Sequence, residues 1–196
     1  MKRRYIVSNF LKVLAVLFAV AFFMPGKALA HCDTMDGPVV KAAQRALATR
    51  NVNLVLIWVQ RKDEGEIKER FRQPLAVRRL SREARKLADS YFFETLVRLH
   101  RSGEGEPYTG IEPAGTDLGP VIPVADKALH DGSVEALLKL FPSSASADIQ
   151  ARFRDPIAKK SFNENDVEAG REYVKAYVSF LHYLEHLYED KRGASE

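Results

Sequence analysis

The chain has one cysteine, Cys32, among its 196 residues. A single cysteine excludes an internal disulfide, a Cys-x-x-Cys redox pair and a Cys-x-x-Cys-His haem attachment. Gly-rich phosphate loops are missing, and no Ser-His-Asp arrangement stands out. There is no internal repeat and no low-complexity tract. Acidic residues are absent from positions 1–30, and that absence is the first positive sign.

Met1–Lys12 carries Lys2, Arg3, Arg4 and Lys12. Val13–Met24 is an unbroken apolar run, Pro25-Gly26 breaks it, and Ala28-Leu29-Ala30 has the small-x-small pattern that signal peptidase reads. This order predicts a secretory signal over residues 1–30, cleaved after Ala30. The apolar run is shorter than the ~20 residues of an ordinary membrane span, so an uncleaved N-terminal anchor is the lesser alternative. Lipidation of Cys32 is disfavoured, because His31 stands where a lipobox needs a small residue. The expectation is an exported protein, periplasmic or extracellular, with no permanent membrane anchor after cleavage. Residues 31–196 then form one domain.

Export changes the charge argument. Five of the 30 basic residues and none of the 26 acidic ones lie in residues 1–30, so 25 basic residues face 26 acids from His31 onward. The sequence pI of about 9.1 belongs mainly to the targeting segment. It gives no warrant for nucleic-acid binding. In an oxidising compartment a lone thiol must ligate metal, pair between chains or be buried. Burial is the hardest of these to arrange for the second residue of a processed chain.

From His31 onward the pattern is helical. Asp36-Gly37-Pro38 opens a first helix, with Asp36 as N-cap and Val39, Val40, Ala43, Ala46 and Leu47 as its apolar stripe. Leu54–Val59 reads as a buried helical turn, since no second strand is evident to pair with it. Asp63–Arg72 is a short charged helix ended by Pro74. Ser81–Arg101 is the strongest helix, with Ala84, Leu87, Ala88, Tyr91, Thr95 and Leu99 on one face and Phe93, Val97 and His100 on another. Gly103–Pro123 holds five glycines and four prolines and either wraps the body or covers a site. Short helices follow at Val124–Leu129, Ser133–Phe141 and Ala147–Phe153. A last helix runs from about Asp166 to Asp190, capped by Asn163 or Asn165. The expected fold is all-α, a bundle of about four main helices plus short ones.

Cleavage after Ala30 would expose the α-amine of His31 beside an imidazole and a thiol. That amine has a pKa near ~8 and yields its proton to a metal at neutral pH. The amine, the Cys32 backbone nitrogen and the Cys32 sulfur close two fused five-membered chelate rings, a set that favours square-planar nickel(II) or copper(II). The His31 imidazole adds a fourth or axial ligand, and Asp33 or Asp36 supplies oxygen. Alternatively, His31 alone grips copper through its amine and ring nitrogen, as a histidine brace. Zinc fits the same donors less selectively.

The start His31-Cys32-Asp33, with Asp36-Gly37 following, resembles the N-terminal hook of nickel superoxide dismutase, also a four-helix bundle. That hook has a second cysteine where this chain has Asp36. The resemblance implies metal binding at the N-terminus, while the loss of one thiolate removes what tunes the nickel couple for dismutation. Over the whole processed chain, HCDTMDGPVV, FFETLVRLHRSGEGEPYTG and VEAGREYVKAYVSFLHYLEHLYE resemble a family of exported bacterial proteins of uncharacterised function. Those proteins share the His-Cys-Asp start after a signal peptide, and the resemblance implies no activity.

Three further histidines are weaker metal candidates. His182-Tyr183-Leu184-Glu185-His186 spells the inverted zincin motif, and two histidines four apart can share one ion. Too little chain follows to bring the usual third ligand, and both histidines fall opposite the apolar face of Gly170, Tyr173, Tyr177, Leu181, Leu184 and Tyr188. The expectation is a solvated pair or a site shared with the processed N-terminus. His100 reads as a core histidine bonded to backbone, or as a ligand near the N-terminal cluster. Glu94 is expected to pair with Arg98 at i+4.

The reading of function is an exported protein that binds one transition-metal ion, nickel, copper or zinc, through His31 and Cys32. Its role is redox chemistry, metal handling or a structural clip. The alternative is a non-enzymatic binding module of the cell envelope, with a protein or small-molecule ligand under residues 103–123 and no metal. A Cys32–Cys32 dimer is a third reading, and the oligomeric state stays open.

Overall fold

Val39, Val40, Ala43, Ala46 and Leu47 recur at helical spacing and are all buried, so the first helix, α1 (Pro38–Thr49), lies with that stripe in the core. Its N-cap is Gly37 rather than Asp36, and no side chain caps it. The computed structural model describes residues 31–193, and the expected secretory signal lies outside them. Eight α-helices are described. After α1 come α2 (Asn53–Leu56), α3 (Glu64–Val77), α4 (Arg82–Glu104) and α5 (Val121–Asp131). Then follow α6 (Glu135–Leu138), α7 (Ser146–Lys159) and α8 (Val167–Gly193). The chain is an all-α bundle, and among the described residues there is no strand, only an isolated bridge between Thr34 and Glu112.

Two layers meet in the core. α4 packs on α1 and α3, and α8 packs on α7 and α5. Phe92 and Leu96 of α4, Leu47 of α1, Ile67 of α3 and Leu184 of α8 are fully enclosed. Leu54–Val59 is the expected helical turn, and its end carries carbonyls short of donors, since Leu56 O has only a long bond, 3.4 Å, from Val59 N–H. Arg171 of α8 supplies one: its guanidinium donates to Leu56 O at 3.2 Å and Val59 O at 3.1 Å, and pairs with Glu64 at 2.7 Å. One cation thereby ties α8 to α2 and α3. The helices pass closely there, since a Cβ on Gly170 would lie 2.3 Å from Ile57 Cγ2.

Several boundaries differ from the sequence expectation. Pro74 does not end its helix, and α7 runs on past Phe153 through Pro156 to Lys159; both rings are buried inside their helices. The ladder resumes past Pro74, where Arg78 N–H donates to Pro74 O at 2.8 Å and the Arg78 side chain donates to Leu47 O at 2.6 Å. Burial of the ring and these later bonds offset the missing amide. Ser81 does cap α4, accepting from Ala84 N–H at 3.0 Å. The cap of α8 is Asp166, which accepts from Ala169 N–H, rather than either asparagine. Arg98 reaches across to Glu66 at 3.2 Å, while Glu94 stands exposed, so the i+4 pair does not form.

Candidate functional site

Residues 31–34 are part of the core. His31, Cys32, Asp33 and Thr34 are 8%, 9%, 2% and 1% exposed. Burial of Cys32 was the least expected outcome from its position, and the long irregular segment after α4 explains it. Glu112 N–H donates to Asp33 O at 2.9 Å, and Met35 N–H donates back to Glu112 O at 2.9 Å. Asp36, exposed, accepts from Gly115 N–H at 3.1 Å, a bond that holds its carboxyl below the usual range. Residues 105–120 therefore strap the N-terminal segment onto the bundle. Gly37 completes the fold-back, since a Cβ there would lie 2.2 Å from His31 O. Gly37 N–H also donates to Thr34 O at 2.9 Å.

The His31 imidazole is held at one nitrogen only. Its Nε2 lies 2.9 Å from the Tyr177 hydroxyl of α8 and 3.0 Å from Asp126 Oδ2 of α5. Tyr177 spends its single proton on Asp126 Oδ1, at 2.7 Å. The hydroxyl can then only accept from His31, so Nε2 carries the hydrogen. In the neutral form of the ring the lone pair is on Nδ1, and Nδ1 is buried with no hydrogen-bond partner. A ring that gives its Nε2–H to a carboxylate while Nδ1 stays free is prepared as a ligand.

Charge around this ring is largely negative. Asp33 Oδ2 lies 3.4 Å from Arg101 Nε, while Asp33 Oδ1 is buried and unpartnered. Burial raises the Asp33 carboxyl to about 6, against the opposing pull of Arg101. Glu104 takes Arg101 Nη1 at 3.3 Å and faces His100 Nε2 at 3.4 Å. Burial, then Glu104 and Asp33, push the Cys32 thiol well above its ordinary value, so it is held as a neutral thiol. That disfavours a free thiolate nucleophile.

A cavity of about 20 Å³ borders this cluster, room for one water or one ion. Its polar walls are His31, Cys32, Arg101, Glu104, His182 and Glu185, closed by Ile122, Val178 and Leu181. Glu185 is buried, its Oε1 is unpartnered, and burial lifts its carboxyl to about 8. Burial also lowers His182, which keeps that imidazole neutral.

The sequence candidates are thus divided. His31, Cys32 and His182 share the cavity, and Asp33 adjoins it through Arg101. Asp36 and His186 stand exposed, away from it. The inverted zincin spacing is split, because Glu185 turns inward with a half-buried His182 while His186 turns out. His100 is a core histidine whose Nδ1 lies 2.9 Å from Trp58 O. Among the described residues, no three His, Cys, Asp or Glu side chains come together as a ready-made metal site.

Asp126, Arg101 and Glu104 were not singled out in the sequence, Tyr177 was read there only as part of the apolar face of the last helix, and Glu185 only as part of the inverted zincin spacing. Some signals were present. Arg101 and Glu104 lie three apart, and Glu185 continues the Tyr177–Leu181 stripe at i+4. Asp126 interrupts the apolar stripe of α5.

The family model for a family of unknown function, DUF6448, matches residues 36–183. The chain belongs to that family. The match takes in α1 through most of α8, including Asp126 and Tyr177, and starts after the His-Cys-Asp run. No curated protein and no solved structure matches the chain.

Proposed function

We propose that this DUF6448 member is an exported protein that binds one transition-metal ion at the N-terminus released by cleavage after Ala30. The observation that carries the reading is the His31 ring. Its Nε2–H is fixed by Asp126 and Tyr177, and its Nδ1 lone pair is buried without a partner. The α-amine of a processed His31 and that Nδ1 belong to one residue and close a six-membered chelate. The Cys32 backbone nitrogen and sulfur extend the donor set, and a bound metal takes the place of the thiol proton.

The surroundings favour a cation. Asp33 Oδ1 and Glu185 Oε1 are buried oxygens without partners, and Arg101 is the one cation among the polar walls of the cavity apart from its histidines. Nitrogen-rich ligation with one sulfur selects copper(II) or nickel(II), with zinc third. Once bound, such an ion supplies a redox couple or a Lewis acid, and the chain positions it, excludes bulk water and holds the imidazole tautomer. Asp36, exposed and bonded to Gly115, serves the strap that holds the hook.

The test compares chains beginning at His31 with chains that keep Ala30. Copper(II) and nickel(II) are titrated into each. Tight one-to-one binding only when His31 is first, lost in His31→Ala, supports the reading. Equal binding by both chains, or none by either, rejects it.

A further inference from the structure

We infer that the corner between α3 and α4 is a docking surface for an anionic lipid bilayer. The observation is a misplaced apolar stripe. Ala84, Leu87 and Tyr91 share a face of α4 at helical spacing, yet the buried residues of α4 begin only at Phe92. Leu80 and Leu87 are 77% and 76% exposed, and Val77 and Tyr91 are 40% and 41% exposed. Four of the five exposed large hydrophobic residues described fall in this one corner. Isolated exposed leucines are ordinary, but a cluster of them at one tip is not.

Charge selects the occupant. Residues 70–91 hold seven basic residues and two acids, in a chain that is close to neutral from His31 onward. Asp89 is already paired with Arg78 at 2.9 Å, which leaves Glu83 as the one acid against the rest. Arg79, Arg82, Arg85 and Lys86 are exposed and interleave with Leu80 and Leu87 along the chain. Protruding leucines set among arginines suit a bilayer surface, where apolar side chains enter the acyl boundary and cations meet phosphates. No helix among the described residues is long and apolar enough to cross a membrane, so the contact is peripheral. This surface is independent of the metal reading, since none of these residues lines the N-terminal cavity.

The experiment is vesicle co-flotation with two compositions, phosphatidylcholine alone and phosphatidylcholine with phosphatidylglycerol. Protein is recovered from cells expressing the full chain, and its N-terminus is fixed by intact mass. Residues 1–30, if retained, are common to all variants compared. The expected result is binding to the anionic vesicles that weakens with salt. Leu80→Ser with Leu87→Ser should lower that affinity about tenfold or more. Replacing Arg79, Arg82, Arg85 and Lys86 by Gln should remove the preference for anionic vesicles, a loss on the order of a hundredfold. All six positions are exposed, and circular dichroism checks that the variants stay folded. Absence of binding to either vesicle overturns the inference, as does binding unchanged in the leucine variant. Self-association that the leucine variant abolishes, without vesicle binding, also overturns it and assigns the corner to a second copy of the chain.

Discussion

Glu185→Gln should stabilise the metal-free protein at neutral and alkaline pH and flatten its dependence on pH. Burial lifts the Glu185 carboxyl from 4.5 to about 8. Between those values the folded state keeps a proton that the unfolded state has released, so stability falls as pH rises through the window. Below about pH 4.5 both states hold the proton and the effect vanishes; above about 8 it is complete. The upper bound is about 5 kcal/mol at ~1.4 kcal/mol per pH unit. Because Glu185 borders a cavity that admits water, roughly half of that is expected, ~2–3 kcal/mol. The assay is urea unfolding at several pH values from 4.5 to 9, with metal removed by chelation. Wild type should lose ~2–3 kcal/mol relative to Glu185→Gln across the range, and the two should agree at the acid end. Parallel curves would refute the assignment of a costly buried carboxylate at this position.

Four further outcomes follow from the structure. Gly37→Ala should cost about 2–3 kcal/mol in denaturant unfolding, because its methyl would meet His31 O at 2.2 Å and force the hook off the bundle. Asp126→Asn or Tyr177→Phe should weaken metal binding by about 10–100-fold in a competition titration, since each loosens the grip on Nε2. His186→Ala, at an exposed position, should leave that titration unchanged. Arg171→Met should cost about 1–3 kcal/mol by chemical denaturation, because it removes the donor to Val59 O, one of two donors to Leu56 O and one of the two cations on Glu64, which keeps Lys68.

The architecture was legible where apolar residues recur at helical spacing, as in α1 and the second half of α4. It was misread where a local rule was outvoted by packing. Pro74 reads as a stop, but its ring is buried and the ladder resumes after it. Leu87 and Tyr91 read as core-facing from their spacing with Thr95 and Leu99, yet they stand exposed on the first turns of α4, before its buried residues begin. Periodicity reports a face, not whether a neighbour covers it. The N-terminal cluster was visible as residue types at one junction. Its partners were not, because Tyr177 lies 146 residues from His31 and is brought to it only by the packing of α8. Burial of Cys32 was equally hidden, since it depends on bridge hydrogen bonds between Asp33, Met35 and Glu112. Gly- and Pro-rich composition marked residues 103–123 as irregular without showing that they strap the N-terminus.

Processing at Ala30 is proposed to create a metal site from His31 and Cys32. The most direct test is one sample of protein recovered from the exported fraction, measured for intact mass and for nickel, copper and zinc by elemental analysis. The expected result is a mass beginning at His31 and close to one equivalent of copper or nickel. A chain correctly starting at His31 that carries no metal, and takes up none when copper, nickel or zinc is added, would contradict it.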